Sequence, residues 1–147
     1  MSLLEEVNKQ MAEAMKSGDE IRVSTLRMVI SGCGNAKIAK GSELTDEEVI
    51  DVIAKGAKQR RESIESFEGA GRQDLADKEK KELEILQEFL PKPMTEAEIT
   101  ELVDKVILET DASSPGDIGK VMGRISPLIK GRADGGLVSS IVKSKLG

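Results

Sequence analysis

The chain lacks several residue types on which most enzyme sites and many RNA-binding surfaces depend. Among its 147 residues there is no histidine, tryptophan or tyrosine, and there are only two phenylalanines and one cysteine. Without histidine, zinc and most transition metals have no ligand set, and Ser–His or Cys–His nucleophilic pairs are excluded. Two phenylalanines cannot form the stacking platforms of single-stranded RNA-binding modules. The sequence therefore predicts no metal site, no cofactor and no catalytic residues of the common kinds.

Long apolar runs are also missing. No segment approaches the ~20 apolar residues that a transmembrane helix requires. The first twenty residues carry Glu5, Glu6 and Glu13 where a secretory signal would have an unbroken apolar stretch. The lone Cys33 cannot form an intrachain disulfide, which fits a reducing compartment. These features predict a cytoplasmic protein that does not engage a membrane.

Charge is abundant and unevenly distributed. The net charge is −5, from 22 basic and 27 acidic residues. Residues 95–111 hold one basic and six acidic residues, whereas residues 112–147 hold six basic and two acidic ones. A basic segment of this kind can bind phosphate even in an acidic protein. The same six cations are equally compatible with an ordinary solvated helix surface.

Helix-start and helix-stop signals recur along the chain, whereas the alternation typical of strands does not. Capping boxes begin at Ser2 and Thr45, and Thr95 caps a further helix. Pro91 and Pro93 cannot both lie inside a helix, so they indicate a linker. The sequence predicts an all-α fold of two helical bundles. The N-terminal multi-helix bundle covers residues 1–92, and the C-terminal three-helix unit covers residues 93–147.

Individual helix boundaries follow from local signals. The fourth helix is predicted over Asp77–Glu88, and the sixth is predicted to start at Ser114–Asp117 with Pro115 in its first turn. Pro127 is expected to bend or end that sixth helix.

Glycines inside two predicted helices call for an explanation, because each costs about 1 kcal/mol relative to alanine. Gly32 and Gly34 predict a kink or a close helix contact in the second helix. Gly119 and Gly123 lie four residues apart on one face of the sixth helix. That spacing predicts close packing of two helix backbones at this face.

The C-terminal basic segment contains the most distinctive candidate site. Lys120 and Arg124 are one helical turn apart, and a Lys-Gly-Arg turn follows at Lys130, Gly131 and Arg132. The turn precedes a helix start, where free amide groups favour an anion. We therefore interpret these five residues as a candidate nucleic-acid-binding face that contacts phosphate. A capped turn with exposed cations is the alternative.

A second cationic cluster lies in the predicted third helix. It comprises Lys58, Arg60 and Arg61, with Arg72 just beyond the helix. These residues form a secondary anion-binding candidate. The alternative is a ladder of i,i+4 ion pairs with Glu62 and Glu65.

The order of motifs along the chain resembles the YqeY family. The resemblance is collinear and extends over nearly the whole chain; the segments that carry it are Leu26–Val29, Leu44–Val49, Lys58–Ile64, Ala70–Leu75, Leu90–Pro91, Gly119–Gly123 and Lys130–Gly135. The C-terminal part is similar to the tail domain of the B subunit of the tRNA-dependent amidotransferase. Gly32, Gly34 and Gly56 depart from the family pattern, which usually has better helix formers at those positions.

This resemblance implies two helical bundles, a bacterial origin and a cytoplasmic location. It also implies a non-catalytic protein that associates with tRNA or docks a protein partner, as the amidotransferase tail is thought to engage tRNA. One alternative is a component of the glutamine-dependent amidotransferase, a carbon–nitrogen ligase with glutamine as amido donor. A second is a protein-binding adaptor. Whether the chain is an enzyme stays open, because the resemblance points to a ligase while the residues provide no catalytic constellation.

Overall fold

The computed structural model describes all 147 residues and contains seven α-helices and no strand, which confirms the predicted all-α fold. The chain divides into two compact units, Met1–Leu90 and Pro91–Gly147. The division lies two residues before the predicted boundary.

The first unit contains four helices around one aliphatic core. The helices are α1 (Leu3–Ser17), α2 (Glu20–Lys40), α3 (Asp46–Gly69) and α4 (Gln73–Gln87). Their buried faces supply the core residues Val7, Leu26, Val29, Cys33, Val49, Ile53, Ala57, Ile85 and Leu86.

Helix α4 starts four residues earlier than predicted. The backbone turns at Gly71, which has φ of +72°, and the first turn of α4 buries Ala76 completely.

The second unit packs three helices around a separate core. They are α5 (Glu96–Thr110), α6 (Ile118–Ile129) and α7 (Gly135–Leu146). Their core residues are Ile99, Val103, Val106, Val121, Ile125, Ile129, Val138, Val142 and Leu146. None of the seven helices is long and apolar enough to cross a membrane.

Two details at the ends of α6 differ from the sequence prediction. Pro115 starts a short 3₁₀ turn, Pro115–Asp117, and α6 follows only at Ile118. Pro127 does not end α6, which continues to Ile129; that Pro127 bends the helix stays a prediction. Ile129 is buried in the core, and this burial offsets the loss of one backbone hydrogen bond at the proline.

The predicted capping boxes at the starts of α1 and α3 both form. At α3 the hydroxyl of Thr45 accepts a hydrogen bond from the Glu48 amide, and the Glu48 carboxylate accepts one from the Thr45 amide. Lys40 Nζ also lies 2.5 Å from the Glu48 carboxylate. The hydrogen bonds from Lys40 and then from the Thr45 amide lower the pKa of Glu48 from 4.5 to about 2.

The two glycines of α2 have different surroundings. A Cβ added at Gly32 would lie 2.9 Å from Val52 Cγ1 of α3, whereas a Cβ at Gly34 would meet nothing within 4 Å. Of the two predicted explanations, close packing therefore holds at Gly32. It does not explain Gly34, for which the structure offers no packing reason.

This difference predicts opposite effects of two matched substitutions. Gly34→Ala gains helix propensity and meets no atom, so it should stabilise the protein by about 0.5–1 kcal/mol. Gly32→Ala gains the same propensity but forces the branched Val52 side chain to move, so it should destabilise the protein by about 1 kcal/mol. Urea unfolding followed by circular dichroism measures both changes. Equal effects of the two substitutions would contradict the close contact.

The Glu48 hydrogen bonds predict a specific pH dependence. A carboxyl pKa that is lower in the folded than in the unfolded state stabilises the fold above the unfolded pKa. This contribution should be complete above pH 4.5 and should be lost as the pH falls towards about 2. Glu48→Gln should therefore reduce the acid dependence of the urea midpoint over this range. Glu47→Gln, at the exposed neighbouring position, is the matched control and should retain the dependence of the native chain.

Candidate functional site

Helix α6 presents the first two predicted cations to solvent. Lys120 and Arg124 are both exposed on this helix. Arg124 Nη2 lies 3.2 Å from Glu109 Oε2 on α5, so part of its charge is balanced locally. At the start of α6 the amide groups of Ser113 and Ser114 lower the pKa of Asp117, and the charge of Lys120 adds to this effect.

The glycines of α6 lie on the same exposed face as these cations. A Cβ added at Gly119 or Gly123 would meet no atom within 4 Å. The predicted close packing of two helix backbones is therefore wrong at these two positions. The two glycines instead leave a stretch of helix backbone uncovered beside Lys120 and Arg124. We call these four residues the α6 glycine face.

The turn after α6 gives Arg132 a structural role. Gly131 adopts a left-handed conformation with φ of +73°. Arg132 Nε then donates a hydrogen bond to the Lys92 carbonyl at 3.0 Å, and its carbonyl accepts one from the Met94 amide at 2.9 Å. Arg132 therefore fastens the segment that precedes α5 to the turn between α6 and α7. Sequence reasoning missed this contact, because it joins residues forty positions apart with no local pattern.

Two of the predicted cations interact with opposite ends of α5. Arg132 Nη2 lies 3.7 Å from Glu98 Oε2, whereas Arg124 pairs with Glu109. Eleven residues of helix separate the two glutamates, which corresponds to about 16 Å along α5. The five predicted residues thus extend along α6 and its turn as a strip. Lys130 caps the C-terminus of α6 and is exposed.

The secondary cluster is divided between the surface and the interior of the first unit. Lys58 and Arg61 are exposed on α3, and Arg72 lies 3.4 Å from Asp74. Arg60 departs from the prediction of a surface cluster because only 8% of it is exposed.

The alternative interpretation of the cluster as an ion-pair ladder is not supported. Neither Glu62 nor Glu65 lies within ion-pairing distance of the cation one turn before it. The long side chains of Lys58 and Arg61 are instead exposed to solvent. An ion pair at such an exposed position would contribute little to the stability of the fold.

Arg60 connects α3 to α4 from within the bundle. Its Nε lies 3.0 Å from Glu82 Oε2 and 3.5 Å from Glu79 Oε2. Its Nη2 donates a hydrogen bond to Met28 Sδ on α2 at 3.1 Å. The sequence carries a signal for this burial that the prediction of a surface cluster missed, because Arg60 lies three residues after Ala57 and four before Ile64, on the apolar face of α3.

Acidic and thiol groups do not gather into a metal centre. No group of three or more cysteine, aspartate or glutamate side chains is placed to hold an ion. The only cysteine, Cys33, is buried in the core of the first unit, and burial raises its pKa.

The fold and these surfaces define an all-α protein of two helical units, with exposed cations and uncovered helix backbone on the second. A family model described as Yqey-like protein matches residues 4–146. The chain belongs to the YqeY family.

Three curated relatives of the chain come from fungi. A protein from Pyrenophora tritici-repentis named "Altered inheritance of mitochondria protein 41, mitochondrial" is 34% identical over 99% of this chain and 81% of its own length. A protein of the same name from Lachancea thermotolerans is 35% identical over 74% of this chain and 60% of its own length. An uncharacterised protein from Schizosaccharomyces pombe is 35% identical over 58% of this chain and 69% of its own length. These relatives do not support the predicted bacterial origin.

The contacts of Arg132 predict that it acts on stability where Lys120 does not. Arg132→Ala removes the hydrogen bond to the Lys92 carbonyl and the pairing with Glu98, so it should destabilise the second unit by about 1–2 kcal/mol. Lys120→Ala removes an exposed side chain and should change stability by less than about 0.5 kcal/mol. Amide hydrogen exchange of the α5 and α6 backbone measures both. Equal protection in the two variants would refute the structural role of Arg132.

Proposed function

We propose that this chain is a non-catalytic protein that binds the tRNA backbone through the α6 glycine face. The observation that carries the proposal is the exposure of Gly119 and Gly123, at both of which an added Cβ would meet no atom within 4 Å. Each glycine costs about 1 kcal/mol of helix stability relative to alanine. Internal packing does not account for that cost, and the uncovered helix backbone gives a partner's backbone room to approach.

The chemistry of the face favours a phosphate backbone as that partner. Lys120 and Arg124 stand beside the two glycines on the same exposed helix surface. Cations beside uncovered backbone allow a bulky anionic strand to approach more closely than a fully covered helix would. Lys130, Gly131 and Arg132 extend the strip towards the turn. Arg132 serves the fold first, so its contribution to binding is smaller than that of Lys120.

The binding mode follows from the residues that are absent. The second unit contains no aromatic side chain on which a base could stack. Its contacts would therefore be to phosphate and sugar, which position a protein on RNA without reading its sequence. The similarity of the C-terminal part to the amidotransferase tail supports tRNA as the form of RNA.

An adaptor function is the second candidate, and it rests on exposed leucines. Leu108 and Leu128 are 79% and 55% exposed, and Leu137 is 46% exposed, all in the second unit. Single exposed leucines are common on protein surfaces. Three on one small unit favour a protein partner as the alternative to RNA.

We propose the cytoplasm as the location, as the sequence composition and the family resemblance imply. The names of two relatives contain the word mitochondrial, which favours the mitochondrion as the alternative. Both compartments contain tRNA, so either location is compatible with the proposed function.

The test compares RNA affinity with fold stability in variants of the full chain. Gly119→Gln/Gly123→Gln covers the bare backbone with good helix formers, so it should stabilise the fold and weaken tRNA binding at least about tenfold. Lys120→Ala should leave the fold intact and lower the slope of log affinity against log salt by about one. Fluorescence anisotropy of labelled tRNA at several salt concentrations measures both effects.

A matched control separates the face from glycine substitution in general. Gly34→Gln alters an equally uncovered glycine in the first unit and should leave RNA affinity unchanged. Unchanged affinity and salt slope in both α6 variants, with the helix content retained, would refute the proposal. A loss of affinity for a protein partner in place of tRNA would favour the adaptor.

A further inference from the structure

A cavity in the first unit lies between α2, α3 and α4. Its volume is about 460 Å³, within the range of roughly 300–1,000 Å³ typical of small-molecule sites. Its buried lining residues are the aliphatic Val29 and Leu86 together with Thr25 and Arg60. Gly32 and Gly56 also line it, so two stretches of helix backbone replace side chains that would otherwise fill the space. The cavity therefore combines an aliphatic wall with a few polar groups and is large enough for a small molecule.

The wall of the cavity includes a buried arginine with unused donor capacity. Arg60 is 8% exposed, and its Nε donates no hydrogen bond. Its Nη2 donates to Met28 Sδ at 3.1 Å, and Met28 also lines the cavity. A guanidinium has five N–H groups, and a thioether is only a weak acceptor. An oxygen acceptor of a ligand would therefore be a stronger partner for Nη2 than Met28.

The charge at the rim favours an anion. Lys55 is exposed, lines the cavity and forms no ion pair within 4.0 Å. Arg60 carries one positive charge and pairs with two carboxylates, Glu79 and Glu82, which are not part of the lining. No aspartate or glutamate is among the lining residues. Lys55 is thus the one charged lining residue without an ion-pair partner.

We propose that this cavity binds a small amphipathic carboxylate. The apolar chain of the ligand packs on Val29, Val52 and Leu86. The ammonium of Lys55 holds its carboxylate at the rim, and Arg60 Nη2 donates a hydrogen bond to a carboxylate oxygen in place of Met28. This site lies in the first unit and does not depend on RNA binding by the second.

Titration of the full chain with decanoate tests the proposal, and decylamine, of equal chain length and opposite charge, serves as the comparison. Isothermal calorimetry should show one saturable site for decanoate. Decylamine should bind at least about tenfold more weakly, because its ammonium meets Lys55. Amide chemical shifts should change along α2 and α3 at residues that line the cavity.

Three variants localise the binding. Lys55→Gln should weaken decanoate about fivefold, the scale of a partly exposed ion pair. Ala36→Leu places a large side chain in the cavity and should weaken decanoate at least about tenfold. Gly56→Ala is a milder variant that keeps the test valid if Ala36→Leu does not fold. Its Cβ would lie at an ordinary 3.5 Å from Leu86 Cδ1, so the fold tolerates it while the cavity narrows.

The exposed Lys9 on α1 provides the matched control, because Lys9→Gln removes the same charge away from the cavity. It should leave decanoate affinity unchanged. Equal affinity for decanoate and decylamine would overturn the proposal, as would unchanged affinity in both Lys55→Gln and Gly56→Ala. Shift changes confined to residues outside α2, α3 and α4 would also overturn it.

Discussion

Burial of aliphatic side chains is the interaction on which both units depend, because the chain has almost no aromatic residues to fill a core. Valine, isoleucine and leucine provide most of each core, and no residue of the second unit is aromatic. In the first unit Gly32 approaches Val52 closely, and both residues line the cavity.

Charged side chains in this protein divide into those that hold the fold together and those that face solvent. Arg60 joins α3 to α4 inside the first unit, and Arg132 joins the start of α5 to the turn after α6. Removing one partner of a buried pair leaves the other charge uncompensated, at a cost of about 3–5 kcal/mol. Lys55 and Lys120 have no such partner and are exposed. A cation count therefore overstates the number of residues available to a ligand.

The proposed RNA face and the proposed cavity both depend on glycines, but the surroundings of these glycines differ. Gly119 and Gly123 leave helix backbone open to solvent, whereas Gly32 and Gly56 form part of the wall of an interior space. Glycine thus allows a partner to approach the surface of the second unit and leaves space for the cavity in the first unit. The presence of a glycine within a helix does not by itself distinguish these situations.

The sequence by itself determined the all-α class and most helix ends. Capping boxes at Ser2 and Thr45 and the break at Pro91 act within a few residues, so local chemistry sufficed to place them. Only the tertiary structure decided that Arg60 pairs with acids of α4, that Arg132 is a structural contact and that Pro127 lies within α6. Each of these depends on residues distant in sequence: the acids of α4 for Arg60, the Lys92 carbonyl for Arg132 and the packed core around Ile129 for Pro127. Contacts of this kind depend on which helix faces meet, and no local pattern encodes that.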